Sequence, residues 1–151
     1  MSLAAFTLTQ DHAYPLAVAT VGVYSLLIYA GGKVSSARKA AKVEYPAAYA
    51  ANDLAEKDVL AKKFNCAQRA HSNTLENLPI FFLSLFHTSI YHPKYAAVGG
   101  LIWVAGRFAY TAGYTTGDPK KRSNGTFAYL GLLPLLGYSF YKAIAELPLW
   151  K

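Results

Sequence analysis

The chain has little charge and a single cysteine. Of its 151 residues, 15% are charged and 54% are hydrophobic, whereas soluble domains carry roughly 25% charged residues. So few charges could not cover the surface of a water-soluble domain of this length. The lone cysteine, Cys66, excludes an internal disulfide and a zinc site built from cysteines, and we expect a buried free thiol there.

Two further absences narrow the class of protein. The N-terminal residues MSLAAFTLTQDH have no basic segment ahead of an apolar core, so we expect no cleavable signal peptide. The formal net charge is +7, but no basic helix with interleaved aromatic residues accompanies it, so no nucleic-acid partner is expected. Basic loops beside a membrane explain the charge better.

Four long segments of the chain are apolar. Residues 13–30 contain no charge and are long enough to cross about 30 Å of hydrocarbon. Backbone polar groups in lipid must be satisfied within the segment, and no alternating barrel pattern is present. We therefore predict an all-α integral membrane protein, a four-helix bundle forming one domain over residues 1–151. The predicted spans are about 13–41, 64–91, 94–117 and 123–147.

Loop charge predicts how these spans are oriented. The connections at 33–63 and 117–122 hold most of the Lys and Arg residues, whereas the other connection and the tails carry only Lys94 and Lys151. The first and third connections should therefore be cytoplasmic, with both termini on the opposite side. The glycosylation sequence Asn124-Gly125-Thr126 would then be cytoplasmic and unused.

Glycine spacing predicts a close helix contact in the third span. Gly99, Gly106 and Gly113 recur every seven residues, which keeps them near one helix face. Small residues allow helices to approach closely in lipid. Chance is the alternative explanation, because glycine is common in membrane spans.

Two polar stripes and a basic run should converge at the cytoplasmic boundary. The stripe on the second span, at i, i+4 and i+7, consists of Arg69, Asn73 and Glu76. The stripe on the third span, at i, i+4, i+7 and i+11, consists of Trp103, Arg107, Tyr110 and Tyr114. The basic run is Lys120-Lys121-Arg122. Together they predict a pocket suited to a small zwitterion with carboxylates and an amine.

Each polar residue taken singly has a plainer explanation. Arg69 could extend its charged end to the interface, Glu76 could pair with it, and the tyrosines could form an interfacial aromatic belt. Arg107 is harder to explain in this way, because it lies far from either end of its span. Ionisable residues inside a membrane are by default candidates for a functional site.

Three strings resemble the family of membrane-associated proteins in eicosanoid and glutathione metabolism. They are RAHSNTLENLP, GRFAYTAGYTTGDPKKRS and SARKAAKVEYP, and the resemblance runs from about Val23 to the fourth span. It implies a homotrimer of four-helix subunits in membrane lipid, placed in the endoplasmic reticulum. Glutathione would bind as a co-substrate between neighbouring subunits near the cytoplasmic face, and no metal is expected.

The resemblance also implies which residues bind glutathione. The implied binding residues are Arg38, Arg69, His71, Asn73, Glu76, Tyr110 and Tyr114. Arg38 would reach the peptide's carboxylate from the adjacent subunit. A leukotriene-conjugating member of the family has Gln at the place of His71 and Tyr at the place of Asn77, so one glutathione contact should be altered here.

Arg122 matches the family's catalytic arginine, with Lys121 as the alternative if the loop is aligned differently. A thiol with a pKa near 8.5 is mostly protonated at neutral pH, and a nearby guanidinium stabilises the nucleophilic thiolate. The implied activity is conjugation of glutathione to lipophilic electrophiles or reduction of lipid hydroperoxides. A non-catalytic lipid-binding adaptor of the same family is the main alternative. A transporter is weakly supported, since no broken-helix pair or inverted repeat is visible.

Overall fold

The computed structural model describes residues 8–147, and all regular secondary structure within that range is helical. Residues 1–7, the first part of the stretch MSLAAFTLTQDH, and residues 148–151, including Lys151, lie outside the described residues. The helices are α1 (Gln10–Ala41), α2 (Asn52–Lys57), α3 (Val59–Tyr91), α4 (Pro93–Tyr114) and α5 (Ala128–Ala145). A 3₁₀ helix, Pro119–Gly125, precedes α5. The all-α prediction is confirmed for this range.

Local signals in the sequence set the ends of α3. The Asp58 side chain accepts a hydrogen bond from the Leu60 amide at 2.8 Å, which caps the first turn. The helix ends at Tyr91 because Pro93 follows His92. A proline disfavours the helical conformation of the residue before it. Its 33 residues make α3 about 50 Å long. The helix therefore extends beyond the predicted span at 64–91.

The core lies where α1, α3, α4 and α5 meet. Phe81 of α3 and Trp103 of α4 stack with ring centroids 3.9 Å apart, and both rings are buried. Leu26 of α1 and Leu135 of α5 belong to the same buried cluster. These large apolar side chains, drawn from all four long helices, join them into one packed unit.

The predicted glycine face of α4 is confirmed as a close contact. A Cβ on Gly106 would lie 2.5 Å from the Cβ of Ala128, which is too close for any side chain. Gly113 faces the backbone carbonyl of Lys121, and Gly99 faces an α5 leucine. The glycines therefore bring α5 and the preceding 3₁₀ helix directly against α4.

One helix in the described range, Gln10–Ala41, is long and apolar enough to cross a membrane. The 3₁₀ helix Pro119–Gly125 and α5, bent by 58° at their junction, would form a second such unit if taken together. Large apolar side chains also point outward on several helices, with Ile28, Leu83 and Leu130 each more than 70% exposed. Membrane crossing by all four long helices stays a prediction.

Candidate functional site

A polar cavity of about 550 Å³ lies between α3, α4 and the segment leading into α5. Both predicted polar stripes open onto it, since Arg69 and Asn73 of α3 line it together with the complete α4 stripe. Arg122 lines it from the 3₁₀ helix. The predicted convergence is therefore present in part within a single chain, since Glu76 of the α3 stripe and Lys121 of the basic run do not line the cavity.

Arg107 forms part of the floor of the polar cavity. The residue is 6% exposed, and its guanidinium donates through Nη2 to Asn73 Oδ1 at 3.0 Å and to Thr74 Oγ1 at 2.7 Å. The same group lies 4.1 Å from the centre of the Tyr110 ring. Its Nε is buried and makes no hydrogen bond to any described residue. Arg107 thus ties α3 to α4 at the cavity and fixes the Asn73 amide.

Arg69 and Glu76 form an ion pair at the rim. Arg69 Nη1 lies 2.7 Å from Glu76 Oε1, and the two side chains are about half exposed, at 47% and 52%. Asn73 Nδ2 donates weakly to the other carboxylate oxygen at 3.5 Å. Glu76 does not itself line the cavity. The ion pair that the sequence analysis gave as a plainer explanation for Arg69 and Glu76 is present. Arg69 still lines the cavity while it is paired.

Two tyrosines of α4 form one wall. Tyr110 and Tyr114 meet edge to face with centroids 5.6 Å apart. Behind them, Tyr114 packs in a small buried cluster with Cys66 and Ala70 of α3. Cys66 is buried, as expected for a free thiol, and it does not line the cavity.

The 3₁₀ helix brings basic residues over the opening. Asp118 caps it by accepting from the Lys120 amide at 3.0 Å. The Arg122 guanidinium lies 6.0 Å from the centre of the Tyr114 ring and lines the cavity, as does Lys120. Lys121 does not line it, and its carbonyl is turned towards Gly113. This geometry favours Arg122 over Lys121 as the cation at the cavity.

Two more implied glutathione ligands, Arg38 and His71, do not line the polar cavity. Arg38 donates to the carbonyls of Ala47 at 2.7 Å and Val43 at 3.3 Å. Its guanidinium also lies 4.4 Å from the Tyr45 ring centre and 4.6 Å from that of Phe64. Within one chain, Arg38 holds the loop after α1.

Several cavity residues were missed by the sequence reasoning. They are Ser123, Thr126 and Tyr129. The bend of 58° between the 3₁₀ helix and α5 turns this segment across the mouth of the cavity. The only available signal was the spacing of Ser123, Thr126 and Tyr129 by three residues, which is ambiguous without knowledge of the bend.

The cavity has the electrostatics of an anion site. Arg69, Arg107, Lys120 and Arg122 line it, and no Asp or Glu does among the described residues. Hydroxyl and amide groups from Tyr110, Thr126 and Asn77 add hydrogen-bonding capacity. Its volume lies within the range of small-molecule sites, about 300–1,000 Å³.

A sequence model of the MAPEG family matches residues 16–141, which is most of the 151-residue chain. The matched range includes every residue assigned above to the polar cavity. It also includes the three strings whose resemblance suggested the family. The chain therefore belongs to the MAPEG family, the membrane-associated proteins in eicosanoid and glutathione metabolism.

Proposed function

We propose that the protein is a membrane-bound glutathione transferase that also reduces lipid hydroperoxides with glutathione. The observation that carries the proposal is the polar cavity, in which several cations and no carboxylate face a space of about 550 Å³. Within the family, the strings quoted above resemble those of microsomal glutathione S-transferase 3. A leukotriene C4 synthase-like conjugation is one form that the activity would take.

Glutathione would bind by charge pairing. The peptide has two carboxylates, one ammonium group and a thiol. Arg69, half exposed at the rim, would pair with one carboxylate. Glu76, 2.7 Å from it, is placed to take the ammonium group. Asn73, held by Arg107, and the hydroxyl of Tyr110 would hydrogen-bond the peptide.

A homotrimer of four-helix subunits would complete the site. Arg38 and His71 do not reach the polar cavity of their own chain. In the proposed assembly, Arg38 of a neighbouring subunit would approach the exposed side of Arg69 and Glu76 and bind the second carboxylate. The contacts of Arg38 with Tyr45 and Phe64 would fix the position of its guanidinium along the helix axis, and so the point at which it meets the carboxylate.

Arg122 would activate the thiol. Its guanidinium favours the thiolate over the thiol, because an opposite charge at close range lowers a thiol pKa by roughly one to three units. The thiolate sulfur then attacks an electrophilic carbon to form a thioether, and the broken bond's electron pair leaves with the displaced group or, with an epoxide, with the ring oxygen, which takes up a proton. With a hydroperoxide, it attacks the distal oxygen, and the O–O bond breaks to give an alcohol and glutathione sulfenic acid. A second glutathione converts the sulfenic acid to the disulfide and water.

The membrane would supply the second substrate. Apolar side chains cover the outer surface of the helices, including Ile28, Leu83 and Leu130, as expected for contact with lipid.

We propose four spans, cytoplasmic first and third connections, and location in the endoplasmic reticulum. Protease treatment of sealed microsomes should cleave residues 45–60 from the cytoplasmic side. A C-terminus accessible from that side would contradict this orientation.

The test of enzyme against adaptor is turnover by the purified protein. Glutathione conjugation to a lipophilic electrophile and hydroperoxide reduction should both be measurable and saturable in glutathione. The adaptor alternative has one observation in its favour, since Arg38, His71 and Glu76 do not line the cavity of a single chain. Tight glutathione binding without turnover of any tested electrophile or hydroperoxide would favour the adaptor.

A further inference from the structure

A second, smaller cavity of about 190 Å³ lies at the same end of the molecule as the polar cavity. It is formed by the last turns of α1, the first turns of α3 and the residue after α4. Its polar lining consists of Lys33 and Ser36 from α1, Lys63 from α3 and Thr115. The remaining lining is apolar, and no acidic residue contributes among those described. We call it the basic pocket.

Packing positions both lysines of the basic pocket. Lys33 Nζ lies 5.4 Å from the centre of the Tyr29 ring, one turn earlier on α1. The stem of Lys63 packs against Gly117, where a Cβ would lie 2.8 Å from the Lys63 Cγ. Gly117 has a φ of +90°, a conformation that also favours glycine. Each lysine thus has a packing partner beside the pocket, and both side chains remain exposed to solvent.

An apolar track runs along the helices to the basic pocket. Residues 101, 105, 108, 112 and 115 of the α4 segment follow one another at spacings of three or four and so share a face. Leu101, Ala105 and Ala112 on this face are exposed. Phe108 contacts Tyr29 of α1 with ring centroids 5.3 Å apart. The track ends at Thr115, within the basic pocket.

We propose that the basic pocket binds an anionic phospholipid, with the headgroup phosphate between Lys33 and Lys63 and an acyl chain along the α4 track. The charge of the pocket is complementary to a phosphate, and the Ser36 hydroxyl can donate to its oxygens, whereas the Thr115 hydroxyl donates to the Ala112 carbonyl at 3.2 Å. Basic pockets between helices on the cytoplasmic side of membrane proteins bind anionic headgroups. A free phosphate would use the lysines but not the track. The proposal depends on the membrane setting and not on glutathione chemistry.

The test is native mass spectrometry of the detergent-purified assembly, titrated with dioleoyl phosphatidate or dioleoyl phosphatidylcholine. The wild-type protein should prefer phosphatidate. Each juxtamembrane lysine contributes about 1 kcal/mol to such binding, so the Lys33→Ala/Lys63→Ala variant should bind phosphatidate roughly 30-fold more weakly. The Lys33→Arg/Lys63→Arg variant keeps both charges and should retain most of the affinity.

The matched control is Lys39→Ala/Lys62→Ala, which removes the same charge from two exposed lysines outside the basic pocket. It should keep the wild-type preference. An equal loss in this control, no preference for phosphatidate in the wild type, or full competition by millimolar inorganic phosphate would overturn the proposal. Glutathione binding measured on the same samples reports whether each variant is folded, and separates this proposal from the proposed activity.

Discussion

Two cavities among the described residues are similar in size and opposite in chemistry. The polar cavity has a volume of about 550 Å³ and is lined by four cationic residues. The other cavity, between the first turns of α1 and the last turns of α3, measures about 470 Å³. We call it the apolar cavity, since Leu16, Phe82 and Phe86 are typical of its lining. Volume alone therefore does not distinguish a glutathione site; the placement of cations does.

The two cavities also differ in their polar side chains. A hydrogen bond from Arg107 of α4 to Asn73 of α3 joins the two helices at the polar cavity. In the apolar cavity the polar side chains are those of His12, His87 and Ser89, with no Arg or Lys among its described lining. Substitutions at the polar cavity should therefore weaken glutathione binding, whereas substitutions at the apolar cavity should not.

The largest effect is expected from Arg69→Ala. Hydrogen bonds to charged groups contribute about 1.5–3 kcal/mol, so the Kd for glutathione should rise roughly 10- to 150-fold. Isothermal titration of the detergent-purified protein measures it. His87→Ala, in the apolar cavity, is the matched control and should bind glutathione as the wild type does. Equal affinities for all three proteins would mean that the polar cavity is not the site.

The Arg122→Ala variant should still bind glutathione, but less of the bound glutathione should be in the thiolate form. If Arg122 lowers the thiol pKa by about two units from 8.5, removing it lowers the thiolate fraction at pH 7 roughly 25-fold. Because the folded site depresses this pKa, the difference between variant and wild type should vanish as pH rises above about 8.5, where the thiol ionises unaided. The pH profile of kcat for conjugation is the measurement.

Lys121→Ala is the control for Arg122→Ala. Lys121 has the same charge and the adjacent position but does not line the polar cavity. Its variant should keep a wild-type pH profile. The reverse pattern, a normal Arg122→Ala and an impaired Lys121→Ala, would assign the activating cation to Lys121.

Gly113→Ala tests whether the close contact between Gly113 of α4 and Lys121 holds the 3₁₀ helix in place beside the polar cavity. A methyl group on Gly113 would collide with the Lys121 carbonyl, so the segment carrying Arg122 must shift. Overpacking of this kind costs about 1–3 kcal/mol, and thermal unfolding in detergent should begin at a lower temperature. Gly137→Ala on α5 meets no atom within 4 Å and should leave stability unchanged or slightly raised. Identical melting of the two variants would rule out this packing role.

The smallest effect is expected from Cys66→Ala. The thiol is buried behind Tyr114 and does not line the polar cavity. Buried structural cysteines are inert, so kcat should stay within about two-fold of the wild type. Loss of turnover in this variant would show that a protein thiol takes part in the chemistry, which the account does not include.

The sequence predicted those parts of the site that lie within one regular helix. The α4 residues Trp103, Arg107, Tyr110 and Tyr114 share a face because helical geometry fixes their spacing, and all line the polar cavity. The glycine face of α4 followed from spacing in the same way, although its partners on α5 did not.

The remaining parts depend on bends and loops that local patterns do not determine. Tyr129 reaches the polar cavity through the 58° bend before α5. Arg38 is held by carbonyl groups of a loop whose path cannot be read from residue spacing. Whether Arg38 meets glutathione depends on the proposed neighbouring subunit, and periodicity within one chain carries no information about that contact.

The central claim is that the polar cavity binds glutathione as its thiolate, and the ultraviolet absorbance of the thiolate tests it most directly. Glutathione is titrated at neutral pH into the detergent-purified protein and into Arg122→Ala, with free glutathione at the same pH as reference. We expect a saturable rise in thiolate absorbance for the wild-type protein and almost none for Arg122→Ala, although both bind the peptide. A rise of equal size in the two proteins would contradict activation by Arg122, and glutathione bound to the wild type without any thiolate signal would contradict thiolate binding in the polar cavity.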